Sequence, residues 1–300
     1  MQPLSYSEKA KRKRDLLPWL LVLPTILLVL ALSLFPLIYS VYMSFQKYNF
    51  LYSVEPIFVG LSNFSDMIFS DHAFQYSLRV TAIFTAISVS LELGIGFVLA
   101  VLLSREFKGQ SIVRTLVIVP IMVSSVAVGY LWRYMYLPKY GLIDTVLNSL
   151  GIVTPAWVTD PNTALLSLIV VDIWQYTPFV SLILLVGLNS VPREPLESAA
   201  IDGASRWQTL VHVTLPLMAT SIAVAVLFRV TDCIRYFDQA YIITGGGPGY
   251  ETYTISLYIY RTGLAGVYNL SYAAAMSWVL NFISLFTCLL LIRTVLRPSK

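Results

Sequence analysis

Glu197-Ser198-Ala199-Ala200-Ile201-Asp202-Gly203-Ala204, running on to Val213-Thr214-Leu215-Pro216, forms the longest polar interval between two strongly apolar runs of this chain. It is too rich in Ala, Glu and Arg for a flexible linker. The stretch reads as a short helix, a turn at Gly203, and a second helix that ends near Pro216. Glycine supplies the left-handed conformation that a tight helix exit needs. Small residues at Ser198, Ala199 and Ala200 make a thin ridge that a groove on another protein could admit closely. On composition alone, an ordinary amphipathic loop between membrane helices also fits.

The surroundings of this interval are apolar. Of 300 residues, 57% are hydrophobic and only 12% are charged, with a mean hydropathy of +0.73. Soluble domains are about 45–50% apolar and about 25% charged, so this chain is an integral membrane protein. Its length allows roughly six spans of about 20 residues with connecting loops. The net charge of +4 is modest. No long basic stripe interleaved with aromatics occurs, so no nucleic-acid partner is expected. Cys233 and Cys288 lie in apolar runs, and His72 and His212 are far apart. Neither pair makes a disulfide framework or a metal-ligand motif.

Taken in order, residues 1–16 are polar and carry Lys9, Lys11, Arg12, Lys13 and Arg14. This cluster is a positive flank that keeps the N-terminus in the cytoplasm. The hydrophobic, transmembrane body covers 17–300. Spans are predicted at about 17–45, 80–103, 112–136, 163–188, 217–243 and 271–292, with the polar loop at 189–216. Glu92 sits inside the second span, where a carboxylate is costly and faces a bundle interior. Pro120 lies in the third span, and Asp172 and Pro178 in the fourth. Arg105, Lys108, Arg193, Arg206, Arg293, Arg297 and Lys300 join the N-terminal cluster on one side of this arrangement. The other side holds Lys47, Lys139 and Arg261. The bias puts both termini and the 189–216 loop in the cytoplasm. The glycine-rich Gly245-Gly246-Gly247-Pro248-Gly249 is no phosphate loop, since no Lys-Ser/Thr follows and no strand precedes it.

The spacing in the polar interval resembles the cytoplasmic loop of permease subunits of bacterial and archaeal ABC importers. Their pattern is Glu-Ala-Ala, three residues, Gly, nine residues, Ile, one residue, Leu-Pro. Glu197, Ala199, Gly203, Leu215 and Pro216 fall in register, with Ser198 for the first Ala and Val213 for the Ile. Phe58 to Phe64, Tyr140 to Ile143 and the Gly245–Gly249 turn resemble external segments of the sugar-type, maltose/glycerol-phosphate-type branch. The resemblance implies an all-α bundle of six transmembrane helices in the plasma membrane. It also implies a coupling helix that docks on an ATP-hydrolysing subunit, built here from Glu197, Ser198, Ala199, Ala200, Asp202, Gly203, Ala204, Leu215 and Pro216. The implied partners are a second permease subunit, two ATPase subunits and a substrate-binding protein, in a lipid bilayer. ATP and Mg would sit on the ATPase partner, and this chain is assigned no cofactor, metal or catalytic residue.

The substrate path is sought where polar side chains enter the spans. Arg229, Asp232, Cys233 and Tyr236 stand three and four residues apart, so they share one helical face. An ionisable residue at that depth is a functional candidate, although Arg229 and Asp232 could equally form an ion pair that only braces helices. Trp174 and Pro178 match a Trp-x-x-x-Pro segment that lines the sugar path in the maltose-type branch, which adds Gln175, Tyr176 and Phe179 as path candidates. Aromatic faces with hydrogen-bonding tips suit a polar, carbon-rich ligand. The expected function is therefore the permease step of ATP-driven carbohydrate import. A permease for a non-sugar solute and a secondary transporter are the alternatives. The second commonly shows internal repeat symmetry, and no repeat is evident here.

Overall fold

The computed structural model describes residues 6–52 and 55–295, with side chains from 18 to 293. The side chains of the N-terminal basic cluster, and Arg297 and Lys300, lie outside the described residues. The chain is helical nearly throughout. Helix α1 (Tyr6–Ser44) leads into a two-residue hairpin ladder, β1 (Gln46–Lys47) against β2 (Ile57–Phe58), and the short α2 (Ser62–Phe69). Then come α3 (His72–Ser104), α4 (Gln110–Met122), α5 (Ser125–Met135), α6 (Leu142–Ser149) and α7 (Ala164–Asn189). The polar interval holds α8 (Arg193–Ile201), α9 (Arg206–Thr209), a π turn (Leu210–Thr214) and α10 (Leu215–Leu217). The chain continues through α11 (Ala219–Ile234), a second π turn (Ala240–Thr244), α12 (Ile255–Gly263) and α13 (Leu270–Val295).

Among the described residues, four helices are long and apolar enough to cross a membrane alone: Pro18–Ser44, His72–Ser104, Ala164–Asn189 and Leu270–Arg293. Two bent pairs, each counted as one span, bring the number to six. Gln110–Met122 and Ser125–Met135 meet at 94°, and Arg206–Leu217 meets Ala219–Ile234 at 68°. The expected third span is therefore not one rod. Pro120 weakens the last turn of α4. Ser124 then starts α5 afresh, its hydroxyl accepting from the Ala127 amide at 3.3 Å. The Val123 carbonyl at the corner accepts from the Gln175 side-chain amide of α7 at 3.1 Å, so the bend is satisfied by a neighbouring helix.

The second bend falls where a helix was expected to end near Pro216: α10 stops at Leu217 and the chain turns at the buried Met218. Pro216 has no N–H for the carbonyl one turn back, and the π turn before it widens the helix to absorb that gap. The expected fifth span, 217–243, is likewise broken, because α11 stops at Ile234 and a short non-helical stretch precedes the next π turn.

Helix α7 is the axis of the bundle, with 56% of its apolar window buried. It packs closely along α3 and α11. A β-carbon placed on Gly187 of α7 would stand 2.7 Å from Ser221 of α11, so only a residue without one permits that approach. By contrast α1 buries none of its apolar window and touches the rest mainly through α13. At the end away from the polar interval, Asp71 ties three helices together. It caps α3 at the Phe74 amide and accepts from the hydroxyls of Tyr258 and Tyr272 at 2.7 and 2.8 Å. Burial, reinforced by this carboxylate, pushes the Tyr258 hydroxyl up.

Candidate functional site

Three carboxylates and one guanidinium meet where α3, α7 and α11 cross. Arg229 of α11 is 1% exposed, and Glu92 of α3 and Asp172 of α7 are both at 0%. Arg229 Nε donates to Glu92 Oε2 at 2.6 Å, and Nη2 donates to Glu92 Oε1 at 2.9 Å. This two-point fork is the strong form of such pairing. Nη2 also donates to Asp172 Oδ2 at 2.8 Å and lies 3.2 Å from Cys233 Sγ. The Tyr176 ring covers the guanidinium at 4.1 Å. Asp232 comes only to 3.6 Å of Nη1, with its side chain 57% exposed.

The Arg229–Asp232 ion pair, one of the two readings left open, is present only as a loose contact at 3.6 Å. The brace of Arg229 is Glu92 with Asp172, 137 and 57 residues earlier in the chain, while Asp232 is a loose third neighbour. Spacing within one helix could not find partners on two others. The signal available in the sequence was a charge count: Glu92 and Asp172 are each the lone charge of their predicted spans, and Arg229 is the innermost base of a third.

Beside this cluster opens a cavity of about 370 Å³ lined by Tyr176, Arg229, Asp232 and Tyr236 among the path candidates. Ser125, Asp172, Arg235, Phe237, Asp238 and Gln239 complete its wall. Tyr236 reaches it from just beyond the end of α11, its ring 4.2 Å from that of Phe84. The remaining candidates do not line this cavity. Gln175 stands behind it, taking a hydrogen bond from the Gln239 side chain at 2.7 Å and donating to the α4–α5 corner. Cys233 is enclosed in the ion cluster. Phe179 packs edge-on against Phe228 at 5.9 Å. Arg235 and Asp238 repeat the charged pattern of Arg229 and Asp232 toward the outer end, whereas Ser125, Phe237 and Gln239 went unpredicted because the bend and the break in the expected third and fifth spans bring them to the wall.

The polar interval forms a separate feature. Helix α8 ends at Gly203, whose φ of +75° is left-handed, and the Ala204 amide closes back on the Ala199 carbonyl at 2.9 Å. Ser205 and Gln208 make a reciprocal capping box that starts α9. Glu197, Ser198, Ala200, Asp202 and Gly203 are exposed, Ala199 and Ala204 half-buried. Leu215 is half-buried and Pro216 exposed where the chain re-enters the bundle. Ile201 at 86% and Trp207 at 72% exposure stand out from the same surface. These two large apolar side chains in a polar interval were not among the predicted coupling residues.

The family model described as the binding-protein-dependent transport system inner membrane component matches residues 92–300. The chain is 34% identical over 270 residues to the trehalose/maltose transport system permease protein MalF of Thermococcus litoralis, covering 90% of this chain and 91% of that one. It is also 34% identical over 271 residues to the trehalose transport system permease protein SugA of Mycobacterium tuberculosis, covering 90% and 85%. Among solved structures, a bacterial ABC transporter involved in import of the acidic polysaccharide alginate superposes with a TM-score of 0.80 at 26% identity, covering 98% of this chain and all of that one. With the match of 92–300 and relatives of this identity along nearly its whole length, the chain belongs to the family of binding-protein-dependent transport system inner membrane components.

Proposed function

We propose that this permease moves a carbohydrate from an external binding protein into the cytoplasm, as one of two permease subunits driven by a pair of ATPase subunits. The observation that carries this reading is the cavity beside Arg229. Its volume of about 370 Å³ is within the ordinary range for small-molecule sites. Tyr176, Tyr236 and Phe237 give it aromatic walls, and Ser125, Asp232 and Gln239 give it hydrogen-bonding tips. That mixture suits sugar rings, which offer apolar faces and hydroxyl edges. The names of the trehalose and maltose relatives and of the alginate importer agree with it.

The coupling role belongs to α8 and its exit, with Ile201 and Trp207 as the apolar contacts toward the ATPase. ATP and Mg are bound there by the partner, and the chain itself performs no chemistry. Both termini and the α8 end are cytoplasmic, since Arg105, Lys108, Arg193 and Arg206 gather at that end. A cysteine replacing Ser205 resists impermeant label from outside intact cells, and one replacing the exposed Ser149 reacts; the opposite pattern inverts the chain.

The transport test uses the complete transporter in proteoliposomes with its ATPase and binding protein. Sugar-loaded binding protein raises ATP hydrolysis and labelled sugar accumulates. Stimulation by an amino-acid or peptide cargo, with none by any sugar, overturns the carbohydrate reading.

A further inference from the structure

The charge around the cavity goes beyond the carbohydrate reading, on which the following rests. The wall carries three carboxylates, Asp172, Asp232 and Asp238, against two guanidiniums, Arg229 and Arg235. Glu92 stands directly behind Arg229 and adds a fourth carboxylate. The balance is a formal −2, and one proton held by the buried acids leaves it at −1. No protonation state of a single acid turns it positive.

Arg229 has little left for a ligand. Its Nε and Nη2 edges are taken by Glu92 and Asp172, Nη1 faces Asp232, and Tyr176 covers one face of the plane. It therefore offers no free two-point edge to a carboxylate, sulfonate or phosphate. Arg235 donates to the Asn281 side chain at 3.4 Å and is flanked along the chain by Asp232 and Asp238. Unmet capacity lies in one acceptor, a carboxylate oxygen, and one hydroxyl that can donate or accept. Asp172 Oδ1 and the Tyr236 hydroxyl are buried on the wall without a hydrogen-bond partner, an arrangement that favours a ligand able to satisfy them. The Asp232 carboxylate is exposed beside them.

We infer that this cavity selects uncharged, hydroxyl-rich sugars and rejects acidic ones. Hydroxyls donate to the free carboxylate oxygens, whereas a uronate or sulfonate would enter a net negative wall whose exposed cation, Arg235, stands between Asp232 and Asp238 in the chain. The specificity determinants are Asp172, Asp232 and Asp238.

The test compares size-matched probes, trehalose and a glucuronate-terminated disaccharide, in the complete proteoliposome system. Wild-type transporter carries the neutral disaccharide with at least about tenfold greater maximal flux than the acidic one. Replacing the exposed Asp232 and the half-buried Asp238 together, Asp232→Asn with Asp238→Asn, raises the acidic-to-neutral flux ratio severalfold with the same binding protein and equal protein level. Equal or greater wild-type flux of the acidic probe overturns the inference and leaves the carbohydrate reading standing. So does an unchanged ratio in a variant that still transports trehalose. Should that variant fail to assemble, the wild-type comparison decides alone. Transport of neither sugar, with an amino-acid or peptide cargo instead, removes the carbohydrate reading and this inference with it.

Discussion

The ion cluster and the α8 exit are both polar interruptions of an apolar chain, yet they are held in opposite ways. Arg229 is fixed by partners from two other helices and is almost wholly buried. Gly203 has open space beside it: a β-carbon added there meets no atom within 4 Å, and its constraints are its left-handed φ of +75° and a backbone hydrogen bond to the Ala200 carbonyl at 3.2 Å. The first site depends on neighbours, so its cost of change is electrostatic. The second depends on its own backbone, so its cost of change is conformational. Polarity in a membrane chain therefore does not itself say whether a residue stabilises the bundle or shapes a surface.

The largest expected effect breaks the first site. Arg229→Leu leaves Glu92 and Asp172 buried without their counter-ion, at a cost of about 3–5 kcal/mol. Thermal unfolding of the detergent-solubilised protein, read by size-exclusion chromatography, should show a large loss of stable bundle. Neutralising all three with Glu92→Gln, Asp172→Asn and Arg229→Gln should recover most of it. No recovery would mean that the cluster holds the bundle by shape and not by charge.

The second site answers differently. Gly203→Val forces a β-branched residue into a left-handed turn, about 1–2 kcal/mol of local strain. Insertion and thermal stability of the bundle should stay near wild type while substrate-stimulated ATP hydrolysis and uptake fall. Normal uptake at normal protein level removes the coupling role of this turn.

The smallest effect sharpens the contrast inside the cluster. Asp232 is exposed and loosely placed, so Asp232→Leu should change thermal stability by about 0–1 kcal/mol. A loss as large as that of Arg229→Leu would restore Asp232 as the main brace.

The fold was legible where a property is local. Apolar run lengths located the hydrophobic segments, and the Glu-to-Pro spacing located α8, its glycine exit and the re-entry at Leu215 and Pro216. Glu92 was legible as an inward-facing acid because burial of a charge is costly anywhere in a lipid core. The rest was not local. Pro120 was visible, but a 94° corner also needs the Ser124 cap and the Gln175 amide from another helix. The break after Ile234 follows no proline or glycine nearby, so Phe237 and Gln239 reached the cavity wall unannounced. The identity of Arg229's partners depended on how three helices cross.

The order of residues in the ion cluster has a consequence for biosynthesis. Glu92 is made 137 residues before Arg229, and Asp172 57 residues before it. At about 5–20 residues per second, a ribosome takes on the order of ten seconds to cover the longer interval. Both acids are therefore in the nascent chain before their counter-ion exists. During that time they must be neutral, or remain in the aqueous passage of the insertion machinery. A chain truncated before residue 229 therefore carries both acids without the guanidinium that pairs them in the folded bundle.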